Sequence, residues 1–180
     1  MKRVSLLLVL SLAMAGCGKK PEEKPQAATA TPYGSPQEVA AYLQAIDPLA
    51  QQINTIHQEL YQMVGTSGKA TGANLAPAME QGRLKLQQAL AQLEKISPPP
   101  LLVPFHDKIK KLVLLRLDAY RLTIEGWKLE QEKSPQFEAQ YTHSEEKLGE
   151  AQQVGAQLSE ERQRIQQALA PAQAPQAASR

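Results

Sequence analysis

The sequence predicts an all-α protein, an up-down-up-down four-helix bundle. Ala, Gln, Leu, Glu and Lys dominate the composition, and aromatic residues make up only 4% of the chain. Such side chains lose little rotamer freedom in a helix, so this composition favours helical structure. Apolar residues recur three and four positions apart between residues 35 and 169, and segments rich in proline or glycine divide this stretch into four.

The first helix is predicted to begin after Ser35. The segment SPQE that starts there is a capping box, in which the Ser35 hydroxyl accepts from the amide of Glu38. Pro48 lies inside the helix, but the apolar spacing continues across it, so we expect a kink near Asp47 and an end at Gly65. Its heptad seam consists of Val39, Tyr42, Ile46, Leu49, Ile53, Ile56, Leu60 and Met63.

A loop and a second helix are predicted to follow. Residues 65–73 are rich in glycines and small residues, a composition typical of a loop. The second helix is expected to begin near Asn74, a favourable cap, with Pro77 in its first turn. The run SPPP at residues 97–100 ends it, because consecutive prolines cannot donate helix hydrogen bonds. Its seam consists of Leu75, Met79, Gly82, Leu86, Ala89, Leu93 and Ile96.

The third helix is predicted to begin at Leu102 or Val103, and the segment KSPQF predicts a fourth that is capped by Ser134 and starts at Pro135. Few residues remain at this joint to reverse the chain, so one long bent helix in a three-helix arrangement is the alternative. The third seam consists of Phe105, Ile109, Leu112, Val113, Leu117, Tyr120, Ile124 and Trp127. The fourth consists of Phe137, Tyr141, Ser144, Leu148, Ala151, Gly155, Leu158, Arg162, Ile165 and Leu169.

The N-terminus has the pattern of an export signal. Lys2 and Arg3 supply positive charge, and residues 4–15 are apolar apart from two serines. This apolar run is too short to cross a bilayer as a helix, which takes about 20 residues. Small residues then precede Cys17, the single cysteine of the chain.

The segment Met14-Ala15-Gly16-Cys17 resembles the lipobox of bacterial lipoproteins, a family that most often has leucine at the position of Met14. The resemblance implies that residues 1–16 are removed as a signal peptide and that Cys17 carries a diacylglycerol thioether. The alternative is an ordinary secretory signal with an unlipidated thiol, which is a liability in an oxidising compartment. In enteric bacteria of this family, aspartate after the cysteine favours the inner membrane, so Gly18 implies the outer membrane.

The rest of the chain is predicted to form three parts. Residues 17–34 combine prolines and charges with almost nothing to bury, which predicts a lipidated flexible tether. Residues 35–169 form the bundle domain, and residues 170–180 a disordered tail. The segment ISPPPLLVPFH, residues 96–106, resembles the proline-rich turn of uncharacterised secreted helical-bundle lipoproteins of bacteria. That resemblance supports the fold and the compartment and implies no known activity.

The charge balance gives no reason to expect a nucleic-acid partner. Removal of residues 1–16 lowers the number of basic side chains from 20 to 18, which equals the 18 acidic ones. A nearly neutral chain with interspersed charges offers no basic surface for phosphates.

No residue pattern predicts catalytic residues, a metal centre or a cofactor. His57, His106 and His143 lack an acidic residue three positions earlier, so the Glu-x-x-His ligands of di-iron bundles are missing. There is no Cys-x-x-Cys-His motif for covalent haem. A non-covalent haem held by one histidine, His57 or His106, and one methionine, Met63 or Met79, is the alternative. Methionines at seam positions usually fill the core, so we expect no cofactor.

The charged and aromatic groups have structural explanations. The adjacent pairs Glu145-Glu146 and Glu160-Glu161 point in different directions on a helix and are predicted to be solvated. Basic residues on the third helix alternate with acidic ones, which predicts an ion-paired exposed face. These are Lys108, Lys110, Lys111, Arg116 and Arg121. Aromatic residues gather around the joint of the third and fourth helices, as a core plug or as the wall of a ligand site. They are Tyr120, Trp127, Phe137 and Tyr141.

These features predict a lipoprotein anchored through Cys17 in a bacterial cell envelope, at the outer membrane facing the periplasm. The bundle is expected to be a non-enzymatic interaction or accessory module with a protein partner in the envelope. The alternative function is a bundle that binds a small apolar or haem-like ligand near its aromatic end.

Overall fold

The computed structural model describes residues 30–66 and 71–170. The signal peptide, Cys17, most of the tether and most of the tail lie outside this part of the chain, so the structure does not bear on these predictions. The described residues form four α-helices, and a short 3-10 turn at Pro100–Leu102 precedes the third. The helices are α1 Pro36–Thr66, α2 Gly72–Leu93, α3 Val103–Gln131 and α4 Phe137–Leu169. The prediction of an all-α bundle is confirmed.

Neighbouring helices run antiparallel. Helix α1 packs on α2, α2 on α3 and α3 on α4. Contacts between helices show the direction of the pairings: two ion pairs join early residues of α3 and α1 to late residues of α4, and Gly72 at the start of α2 lies against Trp127 near the end of α3. The two ion pairs are Lys108 with Glu161 across α3 and α4 and Asp47 with Arg162 across α1 and α4, and a third, Glu59 with Lys85, joins α1 to α2. The order is therefore up-down-up-down.

The joint between α3 and α4 reverses the chain, which excludes the single long bent helix. The amide of Ser134 donates to the carbonyl of Leu129 at 2.9 Å, and that of Lys133 donates to Glu130 at 3.0 Å. Together with a φ of 56° at Lys133, these bonds form a Schellman motif. Helix α4 begins at Phe137 rather than at Pro135, and Gln136, not Ser134, precedes it without a side-chain capping bond.

Two other helix boundaries differ from the predicted ones. Helix α2 begins at Gly72, two residues before Asn74, and Thr71 occupies the capping position without a side-chain bond. The start is tied to tertiary packing, since a Cβ at Gly72 would collide with Tyr141 and Trp127. Helix α1 continues through Pro48 and ends one residue beyond the predicted Gly65.

The core follows the predicted seams most closely on α1 and α2. On α1 every seam position from Val39 to Leu60 is buried, whereas Met63 is 49% exposed. On α2, Ala76 replaces Leu75 as the buried residue of the first turn. On α3 and α4 several predicted seam residues are only half-buried, namely Leu117, Ile124, Trp127, Phe137, Tyr141, Leu148, Gly155, Arg162 and Leu169. None of the described helices is both long and apolar enough to span a membrane.

The last residues of the predicted tether are part of the folded structure. The amides and carbonyls of Thr31 and Gly34 pair with each other at 2.9 and 3.0 Å in a tight turn. The φ of 112° at Gly34 is one that side-chain-bearing residues rarely adopt. Tyr33 packs against the core. These residues therefore belong to the fold although they precede α1.

Candidate functional site

Polar side chains join α1 to α3 at three levels of the core. Near the start of both helices, the Tyr42 hydroxyl lies 3.1 Å from Nδ1 of His106. Near the middle of both helices, Arg116 donates to the carbonyl of Ile53 at 2.8 Å. Further along, Nδ1 of His57 lies 3.4 Å from the hydroxyl of Tyr120. The three contacts follow the parallel course of α1 and α3.

The third of these levels forms the wall of a cavity of about 310 Å³. It lies where α1 approaches its end, α2 begins and α3 turns into α4, so all four helices contribute. The polar lining residues are His57, Tyr120, Thr123, Tyr141, Ser144 and Glu145. The remaining lining residues are Leu60, Gly72, Leu75, Met79 and Leu148. We refer to this space as the end cavity.

A chain of hydroxyl groups lies on the α3–α4 side of the end cavity. Ser144 donates to the carbonyl of Ala119 at 2.8 Å, and the hydroxyls of Ser144 and Thr123 are 2.7 Å apart. Both side chains belong to residues that are at least 96% buried, with exposures of 3% for Ser144 and 4% for Thr123. This chain puts two oxygen atoms at a fixed place in an otherwise largely apolar wall.

The imidazole of His57 is neutral at physiological pH. Burial lowers the pKa of His57 to about 4, and the positive charge of Arg116 lowers it in the same direction. A neutral imidazole keeps one nitrogen as a donor and the other as an acceptor. The end cavity therefore carries no positive charge from this side chain.

Close packing of Tyr141 shapes the other side of the end cavity. A Cβ at Gly126 would lie 2.8 Å from two carbon atoms of the Tyr141 ring, so α3 and α4 approach closely only because this residue is glycine. The Tyr141 hydroxyl donates to Glu130 at 2.7 Å. Burial raises the pKa of Tyr141, and the Glu130 carboxylate raises it further, so the phenol stays protonated.

The predicted aromatic group divides between two places. Tyr120 and Tyr141 line the end cavity, whereas Trp127 lines a cleft of about 580 Å³ between α2 and α3. Phe137 contacts the edge of Tyr141 with ring centroids 6.0 Å apart. The indole nitrogen of Trp127 is buried and has no hydrogen-bond partner among the described residues. Of the four residues, Tyr120 alone belongs to the buried core, so the group as a whole does not form a core plug.

Of the residues considered for haem, one histidine and one methionine share a site. His57 and Met79 both line the end cavity, but His106 is buried at the opposite end of α3 and Met63 is half exposed. A cavity of about 150 Å³ holds one benzene, so about 310 Å³ holds roughly a dozen non-hydrogen atoms. A porphyrin, with several times as many atoms, exceeds this volume. Among the described residues there is no cluster of three or more His, Cys, Asp or Glu side chains placed to bind a metal.

One predicted surface residue is in the core. Arg116 is 6% exposed and bonds to α1, so it is not part of the expected solvated basic face. It follows Leu112 and precedes Tyr120 by four residues each, which is the spacing of the inward stripe and the signal that could have placed it there. Arg121 does fit the expectation, since it pairs with Glu125 at 2.9 Å on the surface.

Two further features were missed or only partly found in the sequence. Thr123 was not assigned to a site, although it follows Tyr120 by three residues on the same helix face. Glu145 was expected on a solvated face, and it is exposed, but it also stands at the rim of the end cavity.

A groove of about 660 Å³ runs between α1 and α4, with Ile53 and Leu112 in its floor and the Asp47–Arg162 pair beside it.

Comparison with protein-family models, curated proteins and solved structures finds no match.

Proposed function

We propose that the chain is a lipid-anchored protein of a bacterial cell envelope and that its helical bundle is a non-enzymatic interaction or accessory module. The observation that carries the proposal is the N-terminal order of charge, apolar run and lipobox-like Met14-Ala15-Gly16-Cys17. One acyl chain binds a membrane only marginally at about 0.8 kcal/mol per methylene, whereas the two or three chains of a lipoprotein give stable attachment. Gly18 favours the outer membrane, facing the periplasm.

The anchor is tested by replacing Cys17. The wild-type protein should incorporate labelled palmitate and fractionate with membranes, and the Cys17→Ser variant should lose the label and appear as a soluble protein or an uncleaved precursor. Gly18→Ser, which changes the neighbouring residue and keeps the thiol, is the control. A processed Cys17→Ser protein that stays with the membranes would contradict the proposal.

The interaction role is tested on the exposed faces of the bundle. Leu114 on α3 and Leu84 on α2 are 50% and 48% exposed, and Leu101 before α3 is 59% exposed. A photo-crosslinking residue placed at each in living cells should capture one dominant envelope protein from one face. Equal background capture from all three positions would count against an accessory role.

The end cavity favours a second function, the binding of a small apolar molecule. Cavities of roughly 300 to 1,000 Å³ with mostly apolar walls and a few convergent polar groups are the usual small-molecule sites of proteins. The end cavity matches this description in volume and lining. Native mass spectrometry of the purified protein should then show a copurifying compound below the size of a porphyrin, and a clean apo mass would weigh against this function.

A further inference from the structure

We propose that the end cavity binds an uncharged, mainly apolar molecule with one hydrogen-bond donor, of the phenol or indole class. This inference rests on the second function above, that the end cavity is a ligand site, and adds the chemical class of the ligand. Three properties of the cavity carry it: its volume, the direction of its hydrogen bonds and its charge.

The volume sets the size of the ligand. About 310 Å³ is roughly twice the cavity that holds one benzene, which corresponds to a ring with a short alkyl chain or to two fused rings. The side chains of Leu60, Leu75, Met79 and Leu148 supply the apolar contacts. The flexible, unbranched side chain of Met79 can adjust to ligands of different shapes.

The hydroxyl hydrogens of Ser144 and Thr123 are both used in hydrogen bonds within the protein. The carbonyl of Ala119 has no hydrogen, so the bond at 2.8 Å uses the single hydrogen of the Ser144 hydroxyl. The contact of 2.7 Å between Ser144 and Thr123 must then use the hydrogen of Thr123. What Thr123 offers the cavity is therefore a lone pair, so a ligand group bound there must donate an N–H or O–H.

The charges around the cavity favour a neutral ligand. A carboxylate would meet acceptor oxygens at Thr123 and the negative charge of Glu145 at the rim, with no imidazolium from neutral His57 to offset its desolvation. A cationic ligand would lose its hydration and meet the positive charge of Arg116, which is near enough to lower the pKa of His57 at the cavity wall. A phenol or indole loses little hydration and satisfies one acceptor.

The test compares 4-propylphenol with 4-propylanisole, which have nearly the same shape but differ in the donor. Titration calorimetry on the full chain carrying Cys17→Ser should show binding of the phenol and at least tenfold weaker binding of the ether. The reason is that the ether cannot donate to the free lone pair of Thr123 and instead places a second acceptor oxygen against it. The Thr123→Val variant removes that acceptor and should abolish the preference for the phenol.

Two matched variants locate the binding. Leu148→Trp fills the end cavity and should eliminate binding of both compounds, whereas Leu114→Trp, on the exposed face of α3, should leave both unchanged. Circular dichroism confirms that both variants are folded. Phenol binding that survives Leu148→Trp would place the site elsewhere and overturn the proposal.

The remaining outcomes separate the proposal from the function on which it rests. Equal affinity for phenol and ether, lost in Leu148→Trp, would keep the ligand site and overturn the requirement for a donor. No binding of either compound by the folded protein would overturn both the ligand site and the inferred class.

Discussion

The two ends of the bundle use the same pair of side chains in different surroundings. At the start of α3, Tyr42 and His106 are 4% and 3% exposed and lie within the core. At the other end, Tyr120 is buried but His57 is half exposed and faces the end cavity. Both residues of the first pair are buried, although Tyr42 also borders a shallow surface cleft, whereas the second pair includes a half-exposed histidine that faces the end cavity.

The size of the neighbouring residues explains the difference. Large side chains of Leu102, Phe105 and Ile165, each at most 3% exposed, fill the first end. Small residues, among them Gly72, Thr123 and Ser144, line the second. A polar pair therefore does not create a site by itself, since the volume left by adjacent residues decides whether another molecule can reach it.

The largest expected difference between the ends is in the cost of shortening a side chain. Phe105→Ala should lower the free energy of unfolding by about 3–5 kcal/mol, because it removes a ring from a filled core. Leu148→Ala, at the cavity wall, should cost about 1 kcal/mol, because this side chain is already half exposed. Urea unfolding monitored by circular dichroism measures both. Equal losses would show that the two ends are packed alike.

The next prediction concerns the close approach of α3 and α4 beside the cavity. Gly126→Ala should destabilise the protein by about 1–3 kcal/mol, because the new Cβ meets the Tyr141 ring at 2.8 Å. Gly149→Ala on the same hairpin is the control. Nothing lies within 4 Å of its Cβ, so the helix should gain about 0.5–1 kcal/mol. A stabilising Gly126→Ala in thermal denaturation would show that the helices separate easily.

A smaller effect should appear in the pH dependence of stability. Burial lowers the pKa of His57 to about 4 and also lowers that of His106, where the charge of Lys110 adds to the effect and Asp107 opposes it. The unfolded chain therefore binds more protons below about pH 6.5, and the free energy of unfolding should fall as the pH drops from 6.5 towards 4. For half-exposed His57 the loss should be on the order of 1 kcal/mol after solvent screening.

Substitution of each buried or half-buried histidine tests whether that residue causes the pH dependence. His57→Gln and His106→Gln should each flatten the decline in urea titrations at pH 7 and pH 4.5. A decline that persists undiminished in both variants would mean that other groups cause it.

The smallest expected change is at the turn beside the cavity end. Lys133 adopts a φ of 56°, which costs a residue with a side chain about 1 kcal/mol. Lys133→Gly should therefore raise the free energy of unfolding by a few tenths of a kcal/mol, part of the gain being offset by the greater freedom of glycine in the unfolded chain. A lower melting temperature would show that the lysine side chain stabilises the turn.

The fold could be predicted from the sequence because the regular spacing of apolar residues shows which face of each helix is buried. The α1 seam from Val39 to Leu60 was predicted residue by residue, since each position lies three or four residues from the next. The end of α3 was harder to predict from the sequence. Its Schellman motif uses a lysine where glycine is the usual signal, so the serine and proline that follow were mistaken for a helix start.

The site was predicted less completely because it depends on contacts between helices. His57, Met79, Tyr120 and Tyr141 were singled out by residue type, but only the packing shows that these four share one cavity. Arg116 was assigned to the surface because its charge outweighed its position in the inward stripe. Periodicity gives the direction of a side chain, whereas the gap between helices depends on the side chains of the partner.

The even number of antiparallel helices has a consequence for orientation. Residues 30 and 170 lie at one end of the bundle, and the end cavity lies towards the other. His57 stands 21 residues beyond the first residue of α1, about 30 Å along the axis at 1.5 Å per residue. The anchor at Cys17 proposed above would join the chain at the end of the bundle that holds residue 30, so the end cavity would lie away from the point of attachment.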